Sequence, residues 1–369
     1  MNKLAQTTIY EDKSHIAKEL QLIAELKALH PNGTFPLIED PLKTKRTSTI
    51  GMFVLRPAKE AWNTPDSNAL TSMYAVPGWA FNIKGLDGGW LVANANPVDQ
   101  FRLGAQYGLS DAVMIGSTTV AKEGVGPRGH LWILSHVAAW LKTLYPSMEH
   151  DVMKQRAAWQ KEGYLSSRKY PAQIVITRSG DAKSGENDFL KARIFTATHA
   201  DGTPLECYIL TSEEGAKKIR TRAQSFGLEG RIDDILIPLS PPGKPGEIDL
   251  ARVPEFLYQP PYNMRIINHD GGQTILSEFS KAGVLPQMNL TLTRNASLYD
   301  VLRAAPIGEK ITREAQKQQA LATFDTNVQY FFPSSGGKLP KELIPVQIIT
   351  DEPHDVAVVT FDARKLRGL

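Results

Sequence analysis

Cysteine is nearly missing from this chain: Cys207 is the single one among 369 residues. One thiol closes no intrachain disulfide and builds no Cys-x-x-Cys zinc site, and the zinc deaminase pattern with its Pro-Cys-x-x-Cys is excluded with it. Cys207 sits in the apolar run Cys207-Tyr208-Ile209-Leu210, which reads as a buried structural thiol rather than a nucleophile. An excess of charge of one sign is also lacking. The 42 Lys and Arg against 39 Asp and Glu leave a net charge of +3, and no basic stripe offers the footprint that nucleic acid needs. No apolar window reaches membrane-spanning length, and the opening residues, MNKLAQTTIYEDK, hold no signal core, so we expect a cytoplasmic protein with no membrane partner. The sequons beginning at Asn32, Asn289 and Asn295 are then chance matches. No internal repeat is present.

What is present is a globular composition, 42% hydrophobic and 22% charged, long enough to bury a sizeable core. Residues 14–29 carry two apolar rows at helical spacing, Ile16, Leu20, Ile23 and Leu22, Leu26, Leu29, ended by Pro31-Asn32-Gly33. That helix packs on the main domain or serves as a dimer contact. The polar, basic stretch over 36–49 reads as an exposed linker. We therefore divide the chain into a helical extension and linker over 1–49 and one domain over 50–369.

Within that domain, apolar runs too short for helices predict strands at 50–55, 111–115, 172–177, 192–196, 206–211, 232–239, 264–268 and 287–293. Helical spacing predicts helices at 97–108, 131–144, 148–160, 213–224 and 250–257, and from Gln273 to a stop at Gly283. Two closing runs, 346–350 and 356–361, pair as an antiparallel hairpin. Strands alternating with helices imply an α/β sheet, mostly parallel, with helices on both faces and an antiparallel edge.

The stretch over 264–283, MRIINHDGGQTILSEFSKAG, organises the rest. It reads as strand, Gly-Gly turn and helix, with Ile275, Leu276 and Phe279 on one helical face. Gly271 and Gly272 either make only a tight turn or let the backbone approach a ligand, and the bare amides that open such a helix suit a phosphate or pyrophosphate. A second glycine motif, Gly124-Val125-Gly126-Pro127-Arg128-Gly129, matches GxGxxG with Asp151 downstream. Its preceding strand ends too early, at Gly116, and Pro127 removes an amide that a phosphate cradle would use. We read it as a surface loop.

Four stretches, in order, resemble the reductase domain of riboflavin biosynthesis, the pyrimidine-reductase branch of the dihydrofolate reductase fold. They are Gly85-Leu86-Asp87-Gly88, then Asp111-Ala112-Val113-Met114-Ile115-Gly116-Ser117-Thr118-Thr119-Val120, then Cys207-Tyr208-Ile209-Leu210-Thr211, and finally Asp270-Gly271-Gly272 with Ile275-Leu276. The resemblance covers about residues 70–300. It implies a three-layer sandwich, NADPH as cofactor, a small-molecule substrate and a homodimer. By that match Gly116 and Thr119 lie beside the cofactor, Thr211 ends a cofactor-side strand, and Gly271, Gly272 and Gln273 approach the pyrophosphate and nicotinamide. Thr177, Arg178 and Ser179, at a strand end, either meet the 2′-phosphate, for which an Arg and a hydroxyl are suitable chemistry, or form a solvated loop. Asp87 is either the proton donor to the substrate or a turn residue.

The chain departs from the family where Gly85 replaces a serine and Asp270 a glutamate, at Gln273, where the family commonly has a small residue or proline, and over 124–170 and beyond 300, which have no counterpart. The expected function is therefore NADPH-dependent reduction of a small heterocyclic or sugar-linked substrate. The alternatives are a non-catalytic nucleotide-binding or scaffold protein that keeps the fold, and an enzyme of the same fold using a flavin-type ligand.

Overall fold

The computed structural model describes residues 37–55, 97–127, 129–141, 146–184, 186–270, 273–293, 342–351 and 356–367. The helix expected at 14–29, the Asp87 turn and the Gly271-Gly272 pair lie outside them.

Nine strands form the main sheet: β1 Ser48–Leu55, β2 Ala112–Gly116, β3 Ala172–Thr177, β4 Cys207–Thr211, β5 Leu236–Pro238, β6 Ile266–His269, β7 Gln287–Thr293, β8 Ile344–Asp351 and β9 Val356–Asp362. They are ordered β8-β9-β7-β1-β6-β2-β3-β4-β5. From β7 to β5 all pairs are parallel, whereas β9 runs against β7 and β8 against β9. This is the α/β, mostly parallel sheet with a C-terminal antiparallel hairpin that the sequence predicts.

Its central strands are apolar on both sides because both faces are covered. Val113, Ile115, Val175 and Ile209 pack with α1 (Pro97–Gly108), α2 (Ser117–Glu123), α3 (Leu134–Leu141), α4 (Met148–Glu162) and α5 (Glu213–Ala223). Alternate residues Ala112, Met114, Ile174, Ile176 and Leu210 pack with α6 (Val253–Tyr258) and α7 (Gln273–Lys281), through Leu257, Leu276 and Phe279. The layers are thus helix, sheet, helix.

A polar clip fixes the amino end of β2. The buried Asp111 accepts from Ser166 N (2.8 Å) and Ser166 Oγ (2.6 Å) on one oxygen, and from Arg265 N (2.8 Å) and Ile266 N (3.4 Å) on the other. One carboxylate so ties the entry of β2, the entry of β6 and the loop before β3. The buried Arg156 closes the same corner by donating to the Gly108, Ser110 and Arg168 carbonyls. Cys207 is buried, and that burial pushes its thiol well above the ordinary cysteine range.

Three local readings of the sequence need correction. The segment 192–196 is no strand: Arg193–Phe195 is a tight 3-10 turn, preceded by another at Phe189–Lys191. Ile194 and Phe195 are both fully buried, which successive residues of a strand on one covered face cannot be. Ile232–Ile235 is a helical turn ahead of β5, with Ile232 and Ile235 inward at a spacing of three and Asp233 and Asp234 exposed. The supposed exposed linker instead packs on the sheet: Ile38 N donates to Gln287 Oε1 (3.0 Å), Arg46 pairs with Glu39, and Thr47 Oγ1 donates to Met264 O (2.6 Å). Helix α3 also starts later than expected, at Leu134, and the Trp132 carbonyl ahead of it accepts from Gln173 Nε2 at 3.0 Å.

Candidate functional site

Strands β2 and β6 are neighbours, paired from Ala112↔Ile267 to Met114↔His269, and Asp270 N extends the ladder to Met114 O at 2.9 Å. From their carboxyl ends the chain departs in opposite directions. After β2 it passes through α2 toward β3; after β6 it passes through α7 and crosses β1 to reach β7. Since such crossovers keep one hand, opposite directions put α2 and α7 on opposite faces, and their core contacts agree. The carboxyl edge between β2 and β6 is therefore a topological switch point, the place where open α/β sheets form a crevice for ligands.

The sequence-derived residues fall along this edge. Gly116 closes β2, Thr177 closes β3 and Thr211 closes β4, with Gly116 opposite Ile176 and Thr177 opposite Thr211. Thr119, half-buried, is in the first turn of α2, with its Oγ1 4.0 Å from where a Cβ on Gly116 would stand. Arg178 and Ser179 are exposed just past β3, and Gln273 opens α7. Asp87, Gly271 and Gly272 lie outside the described residues.

Local packing explains several of these positions without a ligand. A Cβ on Gly116 would stand 2.9 Å from Ile275 Cδ1, so the missing side chain lets α7 settle onto the end of β2. Thr177 Oγ1 accepts from Gly180 N at 3.2 Å and shapes the turn that carries Arg178 and Ser179. Ser212 caps α5, its Oγ accepting from Gly215 N at 2.9 Å while donating to the Arg178 carbonyl at 2.7 Å. Gly215 is held between two strand ends: a Cβ there would stand 2.2 Å from Thr211 Oγ1 and 2.6 Å from Arg178 O. The Thr211 hydroxyl is buried and has no hydrogen-bond partner among the described residues.

Two acids meet at the switch point. Tyr107 on α1 donates its hydroxyl to Asp270 Oδ2. Glu123, the last residue of α2, feels the same carboxylate, and burial first and Asp270 second push its pKa well above the ordinary range. His269 is buried against Phe279 with ring centroids 4.1 Å apart, and burial lowers it to about 3, so its imidazole is neutral. Neither Tyr107 nor Glu123 stands out in the sequence. The α2 residues read there only as the end of a strand, so nothing signalled that a helix carries Glu123 back toward β6.

Along this edge stand the exposed Arg178 and Ser179, the half-buried Thr119 and the first turn of α7, groups that could hold a phosphate. The GxGxxG loop follows helix α2 rather than a strand, and Asp151 bonds Ser147 Oγ at 2.9 Å in the first turn of α4. That context is not the strand, glycine loop and helix of a dinucleotide fingerprint. Among the described residues no cluster of His, Cys, Asp or Glu has metal-ligand geometry, and no helix is long and apolar enough to cross a membrane.

The chain is similar in fold to pyrimidine reductases. A pyrimidine reductase-like protein of Corynebacterium diphtheriae matches over 89% of this chain and 94% of its own, with 14% identity and a TM-score of 0.45. The riboflavin biosynthesis reductase of Saccharomyces cerevisiae matches over 86% and 90%, with 8% identity and a TM-score of 0.39. RibD of Acinetobacter baumannii matches over 88% of this chain and 60% of its own, with 11% identity and a TM-score of 0.36. No family model and no curated protein matches the sequence. At these identities no side chain of the neighbours is carried over to this chain.

Proposed function

We propose that this protein is a NADPH-dependent reductase, with the cofactor laid along the carboxyl edge from β4 to β6 and a small heterocyclic or sugar-linked substrate held beside it. The observation that carries this reading is the switch point between β2 and β6, where the chain leaves two adjacent parallel strands in opposite directions. NADPH supplies the hydride. The protein binds, orients and protonates, and little more is asked of it.

Arg178 and Ser179 meet the 2′-phosphate, where a guanidinium and a hydroxyl suit a dianion. The turn at Gly271 and Gly272 brings backbone close to the pyrophosphate and nicotinamide, and Gln273 begins the helix whose amides complete that contact. Gly116, Thr119 and Thr211 line the same edge, and Asp87 donates a proton to the substrate. With this reading go the expectations of a homodimer and of a cytoplasmic enzyme with no nucleic-acid or membrane partner.

Calorimetric or fluorescence titration with NADPH and NADH tests it. We expect selective NADPH binding, lost in Gly272→Val, while Arg178→Ala weakens NADPH about tenfold and leaves NADH unchanged. Binding of neither nucleotide would favour the non-catalytic scaffold instead.

A further inference from the structure

Gly124 and Gly129 both lie against the turn that holds Arg193. Arg193 N donates to the Gly124 carbonyl (2.8 Å) and its Nη1 to the Gly129 carbonyl (3.0 Å), so the guanidinium lies against the peptide that precedes His130. His130 is buried, stands edge-on to Trp132 with centroids 4.8 Å apart, and meets the His136 ring at 5.9 Å. Two imidazoles and a guanidinium thus lie together beside the start of α3. His136 and Arg193 are only half-buried, so solvent reaches them.

Arg193 carries the charge of this cluster, and it has no counter-ion among the described residues. Among the described residues no carboxylate pairs with Arg193 or His136, and Nη1 is the one guanidinium donor with a protein acceptor. Burial first, and then neighbouring positive groups, hold both rings down, His130 to about 3 through His136 and Arg193, and His136 to about 4 through Arg193. A half-buried guanidinium with one protein acceptor keeps further N–H donors for an anion. Its planar fork takes two oxygens of one tetrahedral group while an imidazole takes a third.

We propose that Arg193 and His136, backed by His130, bind a phosphate-type oxyanion. The occupant is free phosphate or the phosphoryl group of a phosphate monoester, which present the same oxygens. The site uses none of the groups assigned to NADPH and stands or falls apart from that reading.

The full chain is titrated calorimetrically at neutral pH with inorganic phosphate and, separately, with glycerol 3-phosphate, while the His136 ring is followed by NMR. We expect one site, and a His136 pKa that rises when the anion binds. His136→Gln and Arg193→Gln each weaken binding about tenfold or more and leave NADPH affinity unchanged. Arg193 also holds the Gly129 carbonyl, so His136→Gln, which leaves the backbone hydrogen bonds of the loop in place, carries the test if Arg193→Gln fails to fold. An ester that binds tenfold tighter than phosphate identifies a monoester ligand, and equal affinities identify free phosphate. Binding of neither, or binding undiminished in His136→Gln, overturns the proposal.

Discussion

Replacing Asp111 by Asn is the sharpest test of how the sheet is assembled. Asp111 opens the stretch that resembles the reductases, at the other end of β2 from Gly116. Its carboxylate accepts four hydrogen bonds at the amino end of β2, from Ser166 N, Ser166 Oγ, Arg265 N and Ile266 N. An amide can serve only half of them. With its NH2 toward Arg265 and Ile266, two backbone donors face a donor. With its NH2 toward Ser166, the hydroxyl can turn to accept, but Ser166 N is left without a partner. The second arrangement is cheaper, and it still combines one buried unsatisfied N–H, at about 1–3 kcal/mol, with the loss of charge assistance in the remaining bonds. The sum is about 2–4 kcal/mol. For a chain of this length about 2 °C of melting temperature accompanies each kcal/mol, so a fall of roughly 4–8 °C is expected. Calorimetric melting measures it, and NADPH titration of the folded variant should give the parent affinity. A melting point within about 1 °C of the parent, or a loss of NADPH affinity without a loss of stability, would refute the structural role.

Two further outcomes can be measured on the same material. His130, His136 and His269 are neutral in the folded protein, held to about 3, 4 and 3 by burial first, whereas unfolded imidazoles titrate near 6.5. Because the unfolded chain then binds more protons, stability is full above about pH 6.5 and falls toward pH 4, by up to about 1.4 kcal/mol per pH unit for each imidazole. Urea midpoints at several pH values should show that slope, and a flat profile would contradict it. In Gly215→Ala, a helix-propensity gain of about 1 kcal/mol is opposed by about 1–3 kcal/mol of overpacking, because the new Cβ meets the Arg178 carbonyl as well as Thr211 Oγ1. Net destabilisation is expected in denaturant melts. Adding Thr211→Ala should not rescue it, since the backbone oxygen stays; a rescued or stabilised double variant would show that the helix end can shift.

The sheet was legible because its strands obey simple rules. β2, β3 and β4 are buried almost throughout and so read as largely apolar runs, and the closing pair of runs reads as a hairpin on an edge. Period failed where burial came from turns. Ile194 and Phe195 look like strand residues because both are apolar, yet each is buried by a single 3-10 turn. Helix α2 was invisible because Ser117, Thr118 and Thr119 are weak helix formers, and its place is set by β2 and by packing of Val120 and Ala121. At the candidate site the strand-end residues were readable one by one. The carboxyl pair was not, since Glu123 and Asp270 are brought together only by the sheet order.

That order also bears on how the protein is made. β1 pairs with neither of the strands that follow it; its partners are β6, from Ser48↔Ile266, and β7, from Ile50↔Gln287. A nascent chain must therefore extend by roughly 200 residues before β1 meets a partner, which at ordinary elongation rates is on the order of 10–40 seconds of synthesis. Through that interval β1 offers two unpaired edges to any other chain nearby. Production should thus reward slow, cool expression and a chaperone able to hold the first strand until the last third of the polypeptide emerges.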